Sequence, residues 1–481
     1  MMKKIKILIL SSALVTLFSC QKLIEIKETD FIGGDVALKT VLNNEQGLIG
    51  AYAAMNVEMG ILLNAVFADE VVTADFYNAA TVHEWQYSST DISIRDSYTA
   101  FNLYYRIIDR VNRVLQALPN ATAANATQEA LRSRIRGEAL FLRAFCHFEL
   151  YRYYSNSAVG TDLAMAYMET PSLLPTARIT VAPYFQKLKG DLAAAKPLLP
   201  AFSATSDIYR ASNMAASALQ ARVALYLREW NDAITFSTEY INAIPLASRA
   251  NFPGIWTDAN RSELAFKLSR TASLGGRIGS LFRGTSANAA NIGAITWTVS
   301  QKLWDSYDQT NDIRFSSYYK NEPLLAGGAR KYTRLIKKYE GTAYGTPNEN
   351  VADAKVFRTG EMYLIRAEAR AENNDLVGAA ADLNALRAAR INGYTPVILA
   401  SKDAAITQIV DERFKELPYE GHRFWDLKRR NLPVTRITAD LPNGVATAAT
   451  LPAGNFRFLL PIPNTEIQAN PLIQQNPGYT N

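Results

Sequence analysis

The sequence predicts a mainly α-helical fold, and three observations support this fold class. Residues 98–118 carry apolar side chains at steps of three or four, which is the spacing of an amphipathic helix. Two later stretches each contain a helix pattern, a short polar turn and a second helix pattern. The chain has 481 residues, of which 48% are hydrophobic and 20% charged, as is typical of a folded protein with a sizeable core.

The N-terminal residues predict a secretory leader. Residues 1–19 begin with basic side chains and continue with an apolar stretch that is too short to span a bilayer. The run "LFSC" at 17–20 resembles a bacterial lipobox, in which the cysteine thiol takes a diacylglycerol before cleavage. We therefore expect a lipoprotein signal peptide over 1–19, lipidation of Cys20, and a lipid-anchored stalk and N-terminal segment over 20–44. The alternative is a plain leader that contains a cysteine.

Helix patterns predict a scaffold over about 98–244 and 356–430. Helices are expected over 98–118 and 128–154, and Thr180 is expected to cap a third helix. Asn231 or Asp232 is expected to break the two helices of the first pair. Ala221 and Ala233 in this pair, and Ala367 and Ala379 in the second, are twelve residues apart across the turn. That spacing suits tetratricopeptide-like units, whose helices approach closely at small residues; two unrelated helical hairpins are the alternative.

Several classes of chemistry lack their residues in this sequence. If Cys20 is lipidated, Cys146 is the single remaining thiol, and its helical spacing predicts a buried position. The three histidines are isolated, and no nucleophile turn, phosphate-binding loop or dinucleotide motif occurs. Beyond the leader, 48 basic residues face 45 acidic ones, which argues against nucleic acid as a partner. We expect no catalytic site, no metal site and no cofactor.

The run "ERFKELPYEGHRFWDLKRR" at 412–430 is dense enough in charge to suggest either catalysis or architecture. Its first part continues a helix that Pro418 ends. Asp411 and Lys415 have the spacing of a helical ion pair, and Arg423 is expected to bind carbonyls or a carboxylate.

Three carboxylates near this run, Glu412, Glu416 and Asp426, offer the alternative of a glycosidase pair. Carboxylates in a charge-rich helix end are more often solvated or ion-paired, so we interpret the run as architecture.

This run also resembles the late signature of the SusD/RagB family of outer-membrane lipoproteins. The same family is indicated by "EQGLIGAYAAM", "LYYRIIDRVNRVL", "RGEALFLRAFCHFELYRYYS", "RTGEMYLIRAEARAENND" and "LPIPNTEIQANPLIQQNPGY", in family order from about residue 45 to the end. The resemblance implies a SusD-like domain over 45–481, with four tetratricopeptide-like helix pairs as scaffold and an irregular, loop-rich ligand-binding region. The loop-rich insertion is expected at about 245–355, and 68–96 has a similar composition.

The resemblance further implies a non-catalytic lipoprotein of the outer membrane, exposed at the cell surface. Such a protein captures a glycan and delivers it to a SusC-type TonB-dependent transporter. Two alternatives remain open: an oligopeptide as the ligand, or a tetratricopeptide-type adaptor that binds only the transporter. The family often has several acidic residues directly after the lipidated cysteine, whereas "CQKLIEIKETD" has them scattered, which leaves the periplasmic face open as well.

The family supplies no transferable ligand motif, so the site residues are predicted from sugar chemistry. The apolar faces of sugar rings stack on aromatic side chains, and amides bind their hydroxyl groups. In the two loop-rich regions we expect Tyr77, Trp85 and Trp297 to form a stacking platform, with Asn78 as a hydrogen-bonding partner. Ordinary packing is the alternative for each of them. Trp304 and Trp425 are assigned to the core.

Overall fold

The computed structural model confirms a mainly helical fold. The residues that it describes are 37–73, 80–92, 94–155, 158–273, 278–283, 297–323, 333–342, 346–441 and 445–479. The predicted signal peptide, Cys20 and most of the predicted stalk lie outside these residues. The division of the chain into stalk, scaffold and insertion stays a prediction.

The described chain begins with two apolar helices that belong to the core. Helix α1 spans Val41–Ala53 and α2 spans Glu58–Phe67, and the Thr40 side chain caps α1 by accepting a hydrogen bond from the Asn43 backbone N–H. By length and composition, 41–67 passes as a membrane span. Half of its apolar window is buried within the protein, however, and the break after α1 divides it, as in core helices. Strand β1, Val71–Thr73, and a short helix α3, Ala80–His83, follow.

Three long helices confirm the next predictions. They are α4, Phe101–Ala117; α5, Ala126–Tyr154; and α6, Val181–Ala195, for which Thr180 is the N-cap residue. The Asn125 side chain caps α5 by accepting from the Gln128 N–H at 3.0 Å. Every residue of α5 from position 137 onward is buried, including Cys146, so α5 is the central helix of the molecule.

The first predicted helix pair is present, but its turn lies earlier than expected. Helix α7 spans Asn213–Leu227 and α8 spans Trp230–Ala243. Arg228 adopts a left-handed conformation with φ 59°, and its N–H reaches the last carbonyls of α7. The prediction of a break at Asn231 or Asp232 is therefore wrong. Both residues lie in the first turn of α8, where the Asp232 carboxylate complements the helix dipole.

Short elements make up the described part of the predicted insertion. They are α9, Phe252–Trp256; β2, Leu264–Leu268; α10, Ser280–Arg283; β3, Trp297–Val299; α11, Gln301–Asp305; α12, Ile313–Tyr318; β4, Tyr319–Asn321; and β5, Arg334–Ile336. Strand β3 pairs with β1, and β5 pairs with β4, both antiparallel. Each is a two-stranded ribbon among the residues that the structure describes.

The second helix pair lies beside the first, although more than a hundred residues separate them in the sequence. The elements of this part are β6, Ala354–Arg358, paired antiparallel with β2; α13, Thr359–Glu372; α14, Leu376–Arg390; α15, Lys402–Glu416; and α16, Arg423–Arg429. Helix α8 packs along α13, so the order in space is α7, α8, α13, α14. The four alanines predicted at these contacts are fully buried. The chain ends with β7, Val434–Thr435; β8, Thr450–Leu451; and α17, Asn464–Ala469.

A buried ionic network centres on Glu416, at the end of α15. Its carboxylate accepts hydrogen bonds from Arg314 of α12 at 3.1 Å, Arg358 of β6 at 2.5 Å and Arg390 of α14 at 3.0 Å. Burial alone would raise the pKa of Glu416, but the three guanidinium charges outweigh it and hold that pKa far below its usual range. Glu416 is therefore an ionised structural hub.

Two further glutamates extend the network. Glu412 accepts from Arg314 at 2.6 Å and from Arg387 at 2.6 Å. Burial opposes ionisation, yet Arg314, with Lys415 and Arg387, lowers the pKa of Glu412 to about 2. Lys415 lies 3.5 Å from Glu412, whereas no ion pair joins it to Asp411 among the described residues, so that predicted pair is wrong.

The third glutamate, Glu420, anchors the turn that follows α15. It accepts from Arg358 at 2.7 Å and from Lys338 at 2.6 Å. The Lys338 ammonium also lies over the rings of Trp256 and Tyr318, at 4.1 and 4.0 Å from their centroids. The interpretation of 412–430 as architecture fits these contacts.

We expect Glu416→Gln to lower the free energy of unfolding by about 3–5 kcal/mol, because it leaves buried guanidinium charges uncompensated. Chemical denaturation monitored by circular dichroism measures this change. The matched control is Glu129→Gln, which removes an exposed partner of Arg132 and should leave stability almost unchanged. Equal effects of the two variants would show that Glu416 is not a hub.

Candidate ligand-binding site

The four residues predicted to bind a ligand fall into two groups. Tyr77 and Asn78 lie outside the described residues, so their contact with a ligand stays a prediction. Trp85 and Trp297 are both buried, with 4% and 3% of their surface exposed. An open stacking platform needs a free ring face, which neither tryptophan has here.

Contacts at both the edge and the face of its ring hold Trp85 in the core. Its indole N–H donates to the Phe67 carbonyl at 2.9 Å, and its backbone adopts φ 57°. The Arg436 guanidinium lies 4.3 Å from the centre of the Trp85 ring and donates to the Ala68 carbonyl at 2.9 Å. Arg436 thus joins the end of α2 to the C-terminal part of the chain, with Trp85 packed against it.

Trp297 opens strand β3 directly opposite Thr73, the last residue of β1. Its ring packs against His83 with 5.3 Å between the centroids. The prediction that Trp85 and Trp297 form an exposed platform is therefore corrected. Both are buried side chains that support the ends of two strands. A role of Trp85 and Trp297 in ligand binding stays a prediction.

The ends of two strand pairs lie next to each other. Thr73 faces Trp297 in the first pair, and Asn321 faces Arg334 in the second. The Thr298 hydroxyl donates to the Arg334 carbonyl and so joins the pairs. We call these four facing residues the strand-end edge. Tyr77 and Asn78 follow Thr73 by four and five residues in the sequence.

A group of aromatic rings lies beside the strand-end edge. We call it the aromatic shelf: Trp304, Tyr307, Phe315 and Tyr319. Trp304 and Phe315 meet edge to face with 4.6 Å between their centroids, and both are half-buried. The assignment of Trp304 to the core is therefore correct only in part, whereas Trp425 is fully buried, as predicted. Sequence reasoning missed this shelf because the pattern around Trp304 is that of an ordinary amphipathic helix.

The pKa values of two neighbouring acidic residues behind the strand-end edge, Asp69 and Glu70, are shifted in opposite directions. Asp69 accepts from Arg423 at 2.8 Å and from Lys302 at 2.7 Å, which confirms that Arg423 binds a carboxylate. Burial would raise the pKa of Asp69, but these cations hold it far below its usual range. Glu70 accepts from the Tyr419 N–H at 3.2 Å, and burial raises its pKa to about 8. No pattern in the sequence indicates a protonated Glu70.

The three carboxylates considered for glycoside hydrolysis are ion-paired with arginines. Glu412 and Glu416 have the arginine partners described above, and Asp426 accepts from Arg413 at 2.7 Å and from Arg429 at 2.8 Å. Burial opposes ionisation of Asp426, but both arginines lower its pKa. A catalytic pair needs a carboxyl group with a raised pKa beside an open cleft, and these three groups lack both. Among the described residues, no cluster of acidic, histidine or cysteine side chains has the composition of a metal site.

An open groove of about 800 Å³ lies elsewhere, along α4. One wall is the arginine-bearing side of α4, the other is the segment 166–176, and α17 closes one end. We call it the α4 groove. It lies away from the strand-end edge in the sequence and shares none of that edge's residues.

Comparison with known proteins assigns the family. The model of the SusD family matches residues 289–479, and a SusD-like model described as starch-binding, associating with the outer membrane, matches residues 25–225. The chain belongs to the SusD family. Together the two models cover most of the scaffold and the strand-end edge.

Relatives of this SusD-family protein match it along nearly its whole length. A SusD-like protein of Formosa agariphila is 23% identical over 97% of both chains. A SusD superfamily protein from Bacteroides thetaiotaomicron has a TM-score of 0.79 at 24% identity, over 91% of this chain and 100% of that one. A laminarin-binding SusD-like protein has a TM-score of 0.72 at 23% identity, over 92% and 100% of the two chains. These structures share the fold.

The raised pKa of Glu70 predicts a specific pH dependence of stability. Its folded pKa of about 8 exceeds the ordinary unfolded value of about 4.3, so the folded state binds this proton more tightly. The contribution is complete below the unfolded pKa and is lost as pH rises toward 8. We therefore expect the advantage of Glu70→Gln over the wild type in free energy of unfolding to grow from pH 5 to pH 8.

Urea denaturation at several pH values measures this difference. The exposed Glu129→Gln variant serves as the control and should follow the wild type at each pH. A constant difference between Glu70→Gln and the wild type from pH 5 to pH 8 would contradict a protonated Glu70.

Proposed function

We propose that this SusD-family protein captures a glycan at the outer membrane and passes it, chemically unchanged, to a SusC-type TonB-dependent transporter. The observation that carries the proposal is the aromatic shelf beside the strand-end edge, where Trp304 and Phe315 are half-buried, in a chain of this family. Aromatic rings with one accessible face suit the apolar faces of sugars. The neutralised carboxylates support binding without hydrolysis.

Within this proposal the ligand lies against the strand-end edge. Trp304 provides a stacking surface, and Tyr77 and Asn78, in the segment that follows β1, contribute further ligand contacts. Trp85 and Trp297 support the edge from within the core. The laminarin-binding relative makes a β-glucan the first ligand to test, with starch and host or plant polysaccharides beside it.

We also propose that a lipid on Cys20 holds the protein on the outer membrane, with its body at the cell surface. The family model described as associating with the outer membrane supports this location. Several acyl chains on one residue anchor a protein stably, whereas one chain binds only marginally.

Cys20→Ser should move the protein from the membrane fraction to the soluble fraction, because the thiol that carries the lipid is lost. Fractionation followed by immunoblotting measures the change, and Cys146→Ser is the control because that thiol is buried. Protease treatment of intact cells should degrade the wild-type protein. Protection from protease would place the body on the periplasmic side.

A glycan array followed by calorimetry tests capture. For the glycan that binds, Trp304→Ala should weaken affinity by about 3- to 10-fold, the effect of one aromatic contact of about 0.5–1.5 kcal/mol. Trp230→Ala is the matched control, because Trp230 is a half-buried tryptophan at the start of α8 in the scaffold. Reducing-sugar assays on the same mixtures should detect no released sugar.

Two outcomes would contradict this proposal. Glycan affinity that Trp304→Ala leaves unchanged would remove the aromatic shelf from the site. Release of reducing sugar would show catalysis. If mixed peptides bind and none of the tested glycans does, the oligopeptide alternative is favoured.

A further inference from the structure

The segment 166–176, on one wall of the α4 groove, exposes two adjacent leucines. Leu173 is 98% exposed and Leu174 is 78% exposed, between Pro171 and Pro175. Leu472, next to the groove-lining residue Ile473, is 54% exposed. Single exposed apolar residues are ordinary, but several around one concave surface are typical of an interaction site.

The groove is preformed, because hydrogen bonds fix the segment that carries the leucines. The Tyr105 hydroxyl of α4 donates to the Ala166 carbonyl at 2.9 Å. At the other end, the Asn470 side-chain amide donates to the Thr176 carbonyl at 2.9 Å. Binding therefore costs little ordering of the backbone at these two points.

The floor of the groove is apolar. Phe101 and Ile473 are buried beneath it, and Tyr105 is half-buried. Phe101 and Tyr105 pack with 4.9 Å between their centroids. A side chain that enters the groove therefore meets carbon atoms, as in the buried centre of a protein interface.

The wall formed by α4 carries arginines one helical turn apart. Arg113 is held by Asp109 at 2.8 Å, and Arg110 donates to the Gly50 carbonyl at 3.1 Å. Neither Arg106 nor Arg110 forms an ion pair with any residue in the described ranges. Two carboxylates, Asp109 and Glu466, also line the groove, and Asp109 is already paired with Arg113. The α4 wall therefore favours an anionic partner.

We propose that the α4 groove docks a protein segment that carries aliphatic side chains next to carboxylates, and that the transporter supplies this segment. The partner rests on the proposed function. Aliphatic side chains cover Leu173 and Leu174, and carboxylates pair with Arg106 and Arg110. A glycan offers hydroxyl groups that these leucines cannot satisfy. A flat bilayer reaches the leucine tips and leaves the floor uncovered.

The test uses the lipidated full chain in complex with its proposed partner, a SusC-type transporter. Two paired variants probe the groove: Leu173→Ser with Leu174→Ser, and Arg106→Glu with Arg110→Glu. Each should speed dissociation of the complex by about tenfold or more, as expected for interface residues that carry binding energy. Glycan affinity of the isolated protein should not change, because the groove is separate from the strand-end edge.

Two controls match these variants. Val377→Ser with Ile398→Ser removes apolar side chains that are 84% and 90% exposed on other elements, and it should leave the complex intact. Arg106→Lys with Arg110→Lys keeps both charges and should retain most of the affinity for the transporter.

Unchanged dissociation of both groove variants would overturn the proposal. So would specific binding of free acidic peptides that needs the leucines while the transporter complex does not. If the groove variants weaken the complex and no glycan binds, docking stands and glycan capture fails. If a glycan binds and the groove variants leave the complex intact, capture stands and docking fails.

Discussion

The fold depends on the neutralisation of charges that it buries around Glu416. Five cations, Arg314, Arg358, Arg387, Arg390 and Lys338, meet five anions, Asp312, Glu263, Glu412, Glu416 and Glu420, with their side chains almost entirely withdrawn from water. A buried charge without a partner is far more costly than a paired one. The segments that carry these residues must therefore come together at one geometry, which a purely apolar contact would define less strictly.

This constraint explains how an irregular region is joined to a helical scaffold. The cations come from α12, β6, α14 and the residues after β5, whereas α15 and the following turn supply most of the anions. The same turn contains Tyr419, whose backbone N–H donates a hydrogen bond to Glu70. Arg423 then binds Asp69, two residues before β1. The chain that leads into the strand-end edge is thereby tied to the scaffold by the Arg423–Asp69 ion pair and by the hydrogen bond from Tyr419 to Glu70.

Sequence reasoning predicted what depends on local periodicity and missed what depends on distant partners. The helices, their alanine contacts and the buried thiol follow from spacing along one segment. The turn after α7 was placed too late because Arg228 adopts a conformation that glycine or asparagine usually signals. The sequence pattern left open whether Glu412 and Glu416 are solvated or ion-paired, since Arg314, which pairs with both, lies about a hundred residues away. Trp85 is buried rather than exposed for the same reason, because Arg436 packs against its ring from a distant part of the chain.

The central helix α5 contacts residues beside the α4 groove and residues of the turn after α15. On one side, His147 of α5 accepts from the N–H of Met168, beside the α4 groove. Further along α5, Arg152 donates to the carbonyl of Gly421, in the turn that leads to the strand-end edge. The part of α5 between these contacts is buried throughout, and close-packed interiors resist gradual deformation. If the proposed ligand and the proposed partner bind at these two places, both therefore meet surfaces that rest on the same rigid helix.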